Sequence, residues 1–437
     1  MGRVRRFVRF ILDSPLLRQA GIYGVSHLAA KAIPFLLLPV ITRYLTPEHY
    51  GIVAMFVLVA GLLDPFVSLG TSATVTVKFY DDEVDFADYL GTGFAVVLLA
   101  AIPVGLLVFL LREPLAELTA VPGNWLSIII FFILARTAWG AVMALWRVQN
   151  RAATFGIFQN AQSAAIVAGT VFFVIVLERE WRGRIEADLL AWGLSGLAAV
   201  IVLRRAGLLR LVFVRRHAWS FLRFGVPLIP HTLAAVLIAQ TDRAFVTHYV
   251  GIDETGIFTV GYQLALLIEL AAISFSNAYT PWLYDKLKTA DDAMKVKLVR
   301  YTYLQFIGIA ALAGFVALTL PPLAGWLLDP SYARSGQYVR WFAVAFAFSG
   351  MYYMVVNYLF YAEKTPWLSM VTMTTAAANI PLNYLLIQVN GAVGAVQATA
   401  AAMALSFGLT WLASARAFPM PWMHPFRRSV QISDDRT

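Results

Sequence analysis

The 437-residue chain contains no cysteine. Disulfides, thiolate nucleophiles, Fe–S clusters and cysteine-based zinc sites are therefore excluded. Charge is scarce as well, because Asp, Glu, Lys and Arg make up only 14% of the residues; soluble domains carry about 25%. Ala, Val, Ile, Leu, Met, Phe, Trp and Tyr, eight types, supply 60% of the chain instead. A soluble domain of this length cannot bury so much apolar surface and still cover its exterior with polar groups. The composition excludes an ordinary soluble enzyme, a disordered chain and a nucleic-acid-binding domain. The net charge of +9 is read as a membrane-orienting signal, with no nucleic acid as partner. There is also no Walker A loop, no G-x-S-x-G and no G-x-G-x-x-G after a strand, so neither ATP-driven pumping nor bound cofactors are expected.

What is present is a series of long apolar runs. A membrane-spanning helix needs about 20 mostly apolar residues in a row. Twelve candidates meet this, at roughly 21–43, 52–77, 90–111, 125–146, 156–177, 187–203, 224–248, 256–283, 299–320, 337–361, 367–388 and 392–413. The fold class expected is an all-α integral membrane protein, and the short connections leave no room for a soluble catalytic domain. Residues 1–20 are basic and amphipathic, with Asp13, Pro15 and Arg18 interrupting any signal-peptide core; they read as a lead-in helix on the cytoplasmic surface. With the N-terminus inside, the inner segments hold 24 Lys and Arg and the outer ones, with their span ends, hold 7. This asymmetry places both termini in the cytoplasm of a multi-pass protein of the cytoplasmic (inner) membrane. Trp125, Trp146, Trp219, Trp282, Trp326, Trp341 and Trp367 lie near span ends, where interfacial belts form.

The basic stretch 204–223 follows the sixth span and divides the chain six plus six. The expected domains are a lobe at 21–203, a surface linker at 204–223, a second lobe at 224–413 and a cytoplasmic tail at 414–437. Sliding the sequence by 205 residues superposes ITRYLTPEHYGI (41–52) on VTHYVGIDETGI (246–257). Thr42 meets Thr247, Tyr44 meets Tyr249, Gly51 meets Gly256 and Asp64 meets Glu269, with 10 identities in 37 positions between Leu28/Leu233 and Asp64/Glu269. Both copies start from the same side, as in transporters built from parallel repeats.

Lys31, Asp64, Arg136, Asp242, Arg243 and Glu269 stand out as ionisable residues inside spans. Each costs about 2.5–3.5 kcal/mol at a lipid-facing helix centre, so most must face a wet or protein interior. Lys31 lies one turn after His27, on the same helix face. One reading is a cationic cavity of Lys31, Arg136, His27 and Arg243 that accepts an anionic group such as phosphate. The other is that each cation is paired with a carboxylate or reaches the interface, a reading favoured for Arg243 beside Asp242. Asp64 and Glu269 are either carriers of a coupling ion, H+ or Na+, or paired helix contacts. Pro34 and Pro39 in the first span, and Pro227 and Pro230 in the seventh, should bend or break their helices and act as hinges. The polar runs at Gln159, Asn160 and Gln162 and at Asn379 and Asn383 line a cavity or bridge helices. YDDEVDFAD (80–88) lacks EF-hand spacing, His231 and His248 lack a third ligand, and no metal site is expected.

The segment FLLLPVITRYLTPEHYGI (35–52) resembles the opening of Wzx-type polysaccharide and O-antigen flippases of the MOP (MATE-like) transporter superfamily. FGVPLIPHTLAAVLIAQTDRAFVTHYVGIDETGIFTVGY (224–262) and SFSNAYTPWLYDKL (274–287) resemble later stretches of the same proteins. The resemblance implies twelve helices in two pseudo-symmetric six-helix lobes. It implies a non-enzymatic flippase that moves undecaprenyl-diphosphate-linked oligosaccharide across the cytoplasmic membrane by alternating access, for surface polysaccharide (lipopolysaccharide) synthesis. The partners it implies are the lipid-linked oligosaccharide, the bilayer, a glycan polymerase and a chain-length regulator. A cation-coupled drug antiporter of the same superfamily is the alternative. A membrane glycosyltransferase or polymerase is a further one, and would need a large catalytic external loop.

Overall fold

A computed structural model describes residues 26, 29, 30, 35–81, 83–210 and 212–423. His27, Lys31, Pro34, the lead-in 1–20 and the last fourteen residues of the tail lie outside the described residues. Among the described residues every regular element is a helix. The first unit is built from α1 (Pro47–Ser68), α2 (Thr71–Lys78), α3 (Phe86–Leu110), α4 (Arg112–Thr119), α5 (Gly123–Val148), α6 (Ala152–Thr170) with a π-helical turn at Val171–Val176, α7 (Glu180–Arg205) and α8 (Arg215–Tyr249). There follow α9 (Ile252–Lys288), α10 (Asp292–Leu327), α11 (Ser335–Tyr361), α12 (Thr365–Asn390) and α13 (Ala392–Ala417). Eleven helices among the described residues are long and apolar enough to span a membrane. They coincide with the second to twelfth spans expected from hydropathy.

Two departures from the expected spans have a local reason. The second span, expected to be continuous over 52–77, breaks after Ser68. Leu69 and Gly70 both take left-handed backbone angles (φ 47° and 66°), which no helix can continue through, and the Thr71 hydroxyl closes the gap by donating to the Ser68 carbonyl at 2.5 Å. The helix around Pro227 and Pro230, in contrast, does not break: α8 runs 35 residues through both prolines. Each proline removes one backbone N–H, so a bend, not an interruption, is what the pair produces. α8, α9 and α10 hold 35, 37 and 36 residues, about 54 Å at ~1.5 Å per residue, longer than the ~30 Å hydrocarbon core. Their polar ends project beyond it, which hydropathy alone does not register.

Local chemistry starts the helices where they start. Thr46 caps α1 by accepting from the His49 N–H at 3.2 Å, with Pro47 at the first helical position, whose missing N–H and fixed φ suit it. Asp85 caps α3 through the Ala87 and Asp88 N–H groups. Inside hydrocarbon there is no hydrophobic drive between helices, so association depends on close van der Waals packing of small residues. α5 and α7 obey this: Ala141 and Ala144 on one, and Ala187, Ala191 and Ala199 on the other, are fully buried. Ala395, Ala398 and Ala402 play the same part on α13, which packs on α11 and α12.

The chain forms two compact units. The first takes the described residues up to Val260 together with Gly325–Arg334; the second takes Gly261–Ala324 and the residues from Ser335 onward. In the first, Met55, Phe56 and Ala60 of α1 pack with Ile129 and Ile133 of α5. In the second, Leu283, Leu298, Val355 and Tyr358 form a core continuous with the aromatic stack Phe306, Phe407, Trp411 and Trp422.

The repeat-related glycines meet inside the first unit. Gly51 lies against the backbone carbonyl of Ile252, and Gly256 lies against that of Pro47. Pro47 and Ile252 are themselves 205 residues apart, so the contact is reciprocal about a pseudo-two-fold. Around it the Tyr332 hydroxyl donates to the Leu45 carbonyl at 2.7 Å. Arg334 pairs with Glu254 at 2.8 Å, and the Thr247 and Thr255 hydroxyls bond at 2.7 Å.

A second fixed point lies on the basic linker. Segment 204–223 comprises the last turn of α7, an irregular connection and the first turns of α8. Arg210 bridges Asp85 at 2.8 Å and Asp88 at 3.2 Å, the Val214 N–H donates to the Thr92 hydroxyl at 3.1 Å, and Gly91 leaves room for the Arg210 carbonyl. Asp81, Asp85 and Asp88 of YDDEVDFAD are thus used in helix capping and in ion pairs with Lys78 and Arg210.

Two outcomes follow. Gly51→Val or Gly256→Val drives a side chain into a backbone carbonyl and should lower stability by about 1–3 kcal/mol, as overpacking does; an unchanged thermal midpoint in detergent would remove the glycine contact as a constraint. The Asp85 carboxyl is held below its usual range by the Asp88 N–H, then by the Arg210 charge and the Ala87 N–H. A folded value below the unfolded one means that this stabilisation is complete above about pH 4 and is lost as pH falls through the folded value. Hydrogen exchange in 206–214 should therefore stay slow at neutral pH, rise in acid, and be fast at neutral pH in Asp85→Ala/Asp88→Ala.

Candidate functional site

Polar groups are expensive in hydrocarbon unless satisfied by the protein, so the buried polar clusters of each unit mark where function can reside. In the first unit the cluster starts on α1. Asp64 accepts from the Ser68 hydroxyl, one turn on, at 3.2 Å. Arg136 of α5 lies near enough for its charge to act on Asp64. The guanidinium sits 5.4 Å from the ring centres of both Phe132 and Trp192, an aromatic cradle that holds its plane by cation–π attraction. The structure therefore brings together two of the residues singled out in sequence, a cation and an anion held in one unit.

Arg243 is held on α8, where its Nη1 donates to Gln240 Oε1 at 3.3 Å. Gln240 faces Gly61 of α1; a Cβ there would stand 3.3 Å from the Gln240 amide nitrogen. Asp64 lies three residues after Gly61, on the same helix face. Asp242, next to Arg243, is buried at 4% exposure. Pro39 is half-buried and its carbonyl accepts from Thr42 at 3.2 Å, while Pro227 and Pro230 lie within α8.

The second unit has its own cluster. Glu269 of α9 accepts from the Tyr353 hydroxyl at 2.6 Å and from the Ser349 hydroxyl at 3.1 Å, both on α11. Its second oxygen, Oε2, is buried and has no hydrogen-bond partner among the described residues. One turn further along α11, Asn357 donates to the Tyr353 carbonyl at 2.9 Å and accepts from Thr280 at 3.2 Å. Asn383 of α12 donates to Asn379 at 3.1 Å. In the first unit, Asn160 folds back onto the Gly156 carbonyl at 2.8 Å.

Asp64 and Glu269 are repeat-related, and each reaches the fourth span of its own half. They meet opposite chemistry there: Asp64 meets an arginine, Glu269 a serine and a tyrosine. Sequence reasoning missed Ser349, Tyr353 and Gln240. Ser349 and Tyr353 stand at i and i+4 on an otherwise apolar helix, a signal that a face-by-face reading of span ten would have caught. It also missed the pair of Arg184 with Asp188 at 2.5 Å, because α7 starts at Glu180 and takes in residues assigned to an external loop.

Comparison with known proteins places this arrangement. Residues 16–285 match the family model described as polysaccharide biosynthesis protein. The Lsg locus protein 1 of Haemophilus influenzae is 26% identical over 368 residues, which is 81% of this chain and 87% of that protein. The succinoglycan biosynthesis transport protein ExoT of Rhizobium meliloti is 22% identical over 262 residues, 59% of this chain and 51% of that one. Among solved structures, the lipid II flippase MurJ in an inward closed conformation superposes with a TM-score of 0.70 at 14% identity, over 90% of this chain and 87% of that chain. A MATE transporter of Vibrio cholerae gives 0.60 at 13% identity, over 92% and 96%. These likenesses show the fold, that of the MOP transporters.

If Asp64 and Arg136 act on each other, a double-mutant cycle of Asp64→Asn and Arg136→Met should show a stability coupling of about 0.5–3 kcal/mol. Strictly additive losses would remove the pair.

Proposed function

The chain belongs to the polysaccharide biosynthesis protein family, and from that premise we propose that it flips a lipid-diphosphate-linked oligosaccharide across the cytoplasmic membrane by alternating access. Undecaprenyl diphosphate is the carrier we assign, and both termini then lie in the cytoplasm. The observation that supports this reading best is the guanidinium of Arg136, held at membrane depth between Phe132 and Trp192 beside Asp64. A cation so placed supplies planar, paired N–H donors for a phosphate oxygen, and Asp64 keeps it neutralised while no anion is there. Arg243 and its Gln240 partner add a second donor group in the same unit. His27 and Lys31 complete the cationic set that we assign to the substrate. The twelve-span MOP fold, with a glycine-tight repeat contact, suits transport by rocking of rigid parts. In this reading the glycan polymerase and chain-length regulator act on the product, and Pro39, Pro227 and Pro230 serve as bends about which helices flex.

Glu269 takes the role of ion coupling. A carboxylate held by two neutral donors, with one oxygen left without a partner, has room for a proton or a Na+ that Asp64, facing Arg136, lacks. The same acidic and aromatic surroundings suit the cation antiporter alternative.

In a strain lacking the gene, Arg136→Ala and Lys31→Ala should each abolish surface glycan display while the protein still inserts at wild-type level, and Arg136→Lys should restore part of it. Normal display in both alanine variants would sink the cationic site. Glu269→Gln should flatten the pH dependence of glycan export, with Asp64→Asn leaving the shape of that profile in place. Drug resistance that rises with expression of the wild-type chain, with no effect on glycan, would select the antiporter.

A further inference from the structure

Within the first unit, α3 and α7 both pack on α5 but leave an opening between them. It is a cavity of about 840 Å3, inside the ~300–1,000 Å3 range of ligand sites. Leu98 of α3 and Leu190, Leu194 and Leu197 of α7 form its exposed rims, and Ala135 and Ala138 of α5 form its floor. Two glycines keep the α7 wall low. Gly196 presses on the Ala135 backbone, and a Cβ at Gly193 would stand 3.4 Å from the Phe131 ring. The lining on α7 runs from Glu186 to Val200, about 21 Å at ~1.5 Å per residue, or about two-thirds of the hydrocarbon thickness. Apart from Glu186 at one end the trough is hydrocarbon throughout. It therefore accepts an extended hydrocarbon chain and rejects sugar.

The opposite end of the trough is different in charge. There Leu209 closes it, on the basic linker. Arg204 and Arg205, in the last turn of α7, are exposed at this end, and Arg210, farther along the linker, is held by Asp85 and Asp88. Arg204 continues the trough-lining row of α7 (Glu186, Leu190, Gly193, Leu197, Val200) one turn beyond it, and an arginine pair just past the end of an apolar trough matches a ligand with one long apolar chain and a doubly charged phosphate head. A phospholipid presents two chains and one phosphate.

We propose that this trough holds the polyprenyl tail of the lipid-linked substrate as it loads, with Arg204 and Arg205 against its diphosphate before the diphosphate passes to Arg136. The proposal rests on the flippase reading and adds to it the place where the lipid part travels. It also separates the two ends of the substrate: the isoprenoid stays in hydrocarbon at the α3–α7 opening while the glycan takes a polar route.

The test uses the full chain in phosphatidylethanolamine vesicles, with a polyprenyl diphosphate that carries a diazirine in its chain. After illumination, peptides from 94–98 and 186–200 should carry the label. Unlabelled polyprenyl diphosphate should compete, and an equal excess of phosphatidylglycerol should not. Gly193→Phe, which fills the trough, should cut labelling about tenfold, a 1.4 kcal/mol equivalent. Leu194→Trp, at the rim, serves as a second variant should the first fold poorly. Arg204→Glu/Arg205→Glu should weaken capture about tenfold, and Arg204→Lys/Arg205→Lys should retain most of it. Label spread evenly over lipid-facing helices, equal competition by phosphatidylglycerol, or indifference to both filling variants would each overturn the proposal and leave an ordinary lipid in the trough. Export of surface glycan by the same wild-type chain is scored in parallel. Failed trough labelling with intact export removes the trough alone, whereas failed export removes the flippase reading itself.

Discussion

The backbone contact between the starts of α1 and α9 is the constraint on which much else depends. Gly51 and Gly256 are each pressed against a carbonyl of the other helix, an approach that a Cβ would forbid. Close crossing of this kind is how helices gain van der Waals contact where hydrocarbon offers no hydrophobic drive. With that crossing set, Tyr332 reaches the Leu45 carbonyl and Arg334 reaches Glu254. The compact units consequently do not divide where the repeat divides. The first turns of α9 belong to the second half of the sequence repeat, yet they fold with the first unit.

The same repeat explains why two acids at corresponding positions carry different meaning. Duplication places a carboxylate on the second span of each half, facing the fourth. What then decides its behaviour is the fourth span. Arg136 puts a positive charge within reach of Asp64, whereas Ser349 and Tyr353 give Glu269 only neutral hydrogen-bond donors. A charge at membrane depth must be matched or neutralised. This difference in surroundings is what the proposal uses when it gives ion coupling to Glu269 and anion binding to Arg136 beside Asp64.

Hydropathy located the second to twelfth spans because a period of about 20 apolar residues is a property of composition along the chain. The resemblance at 35–52, 224–262 and 274–287, carried by the Pro-rich start of the seventh span, the Asp242–Arg243 pair and the Gly251…Gly256 loop, led to the fold and the family. The end of α1 was not legible: Leu69 is a residue that favours helix, and its left-handed angle is accompanied by Gly225 and Leu228 packing on the turn. Ser349 and Tyr353 escaped notice because neither is charged, and their importance comes from the carboxylate opposite them, 80 and 84 residues away in sequence. Arg184 and Asp188 were hidden by a helix that begins earlier than its hydropathy does.

The amino-acid sequence by itself determined that this is a membrane protein of about twelve helices, that 28–64 is similar to 233–269, and which scarce charges fall within its apolar runs. Those features are local or periodic, and they need no knowledge of neighbours. The tertiary structure alone decided which charge meets which. Ion pairing, the aromatic cradle of Arg136 and the trough between α3 and α7 all depend on helix faces brought together from distant parts of the chain. That information resides in packing, because in hydrocarbon a polar side chain is defined by the partner that satisfies it.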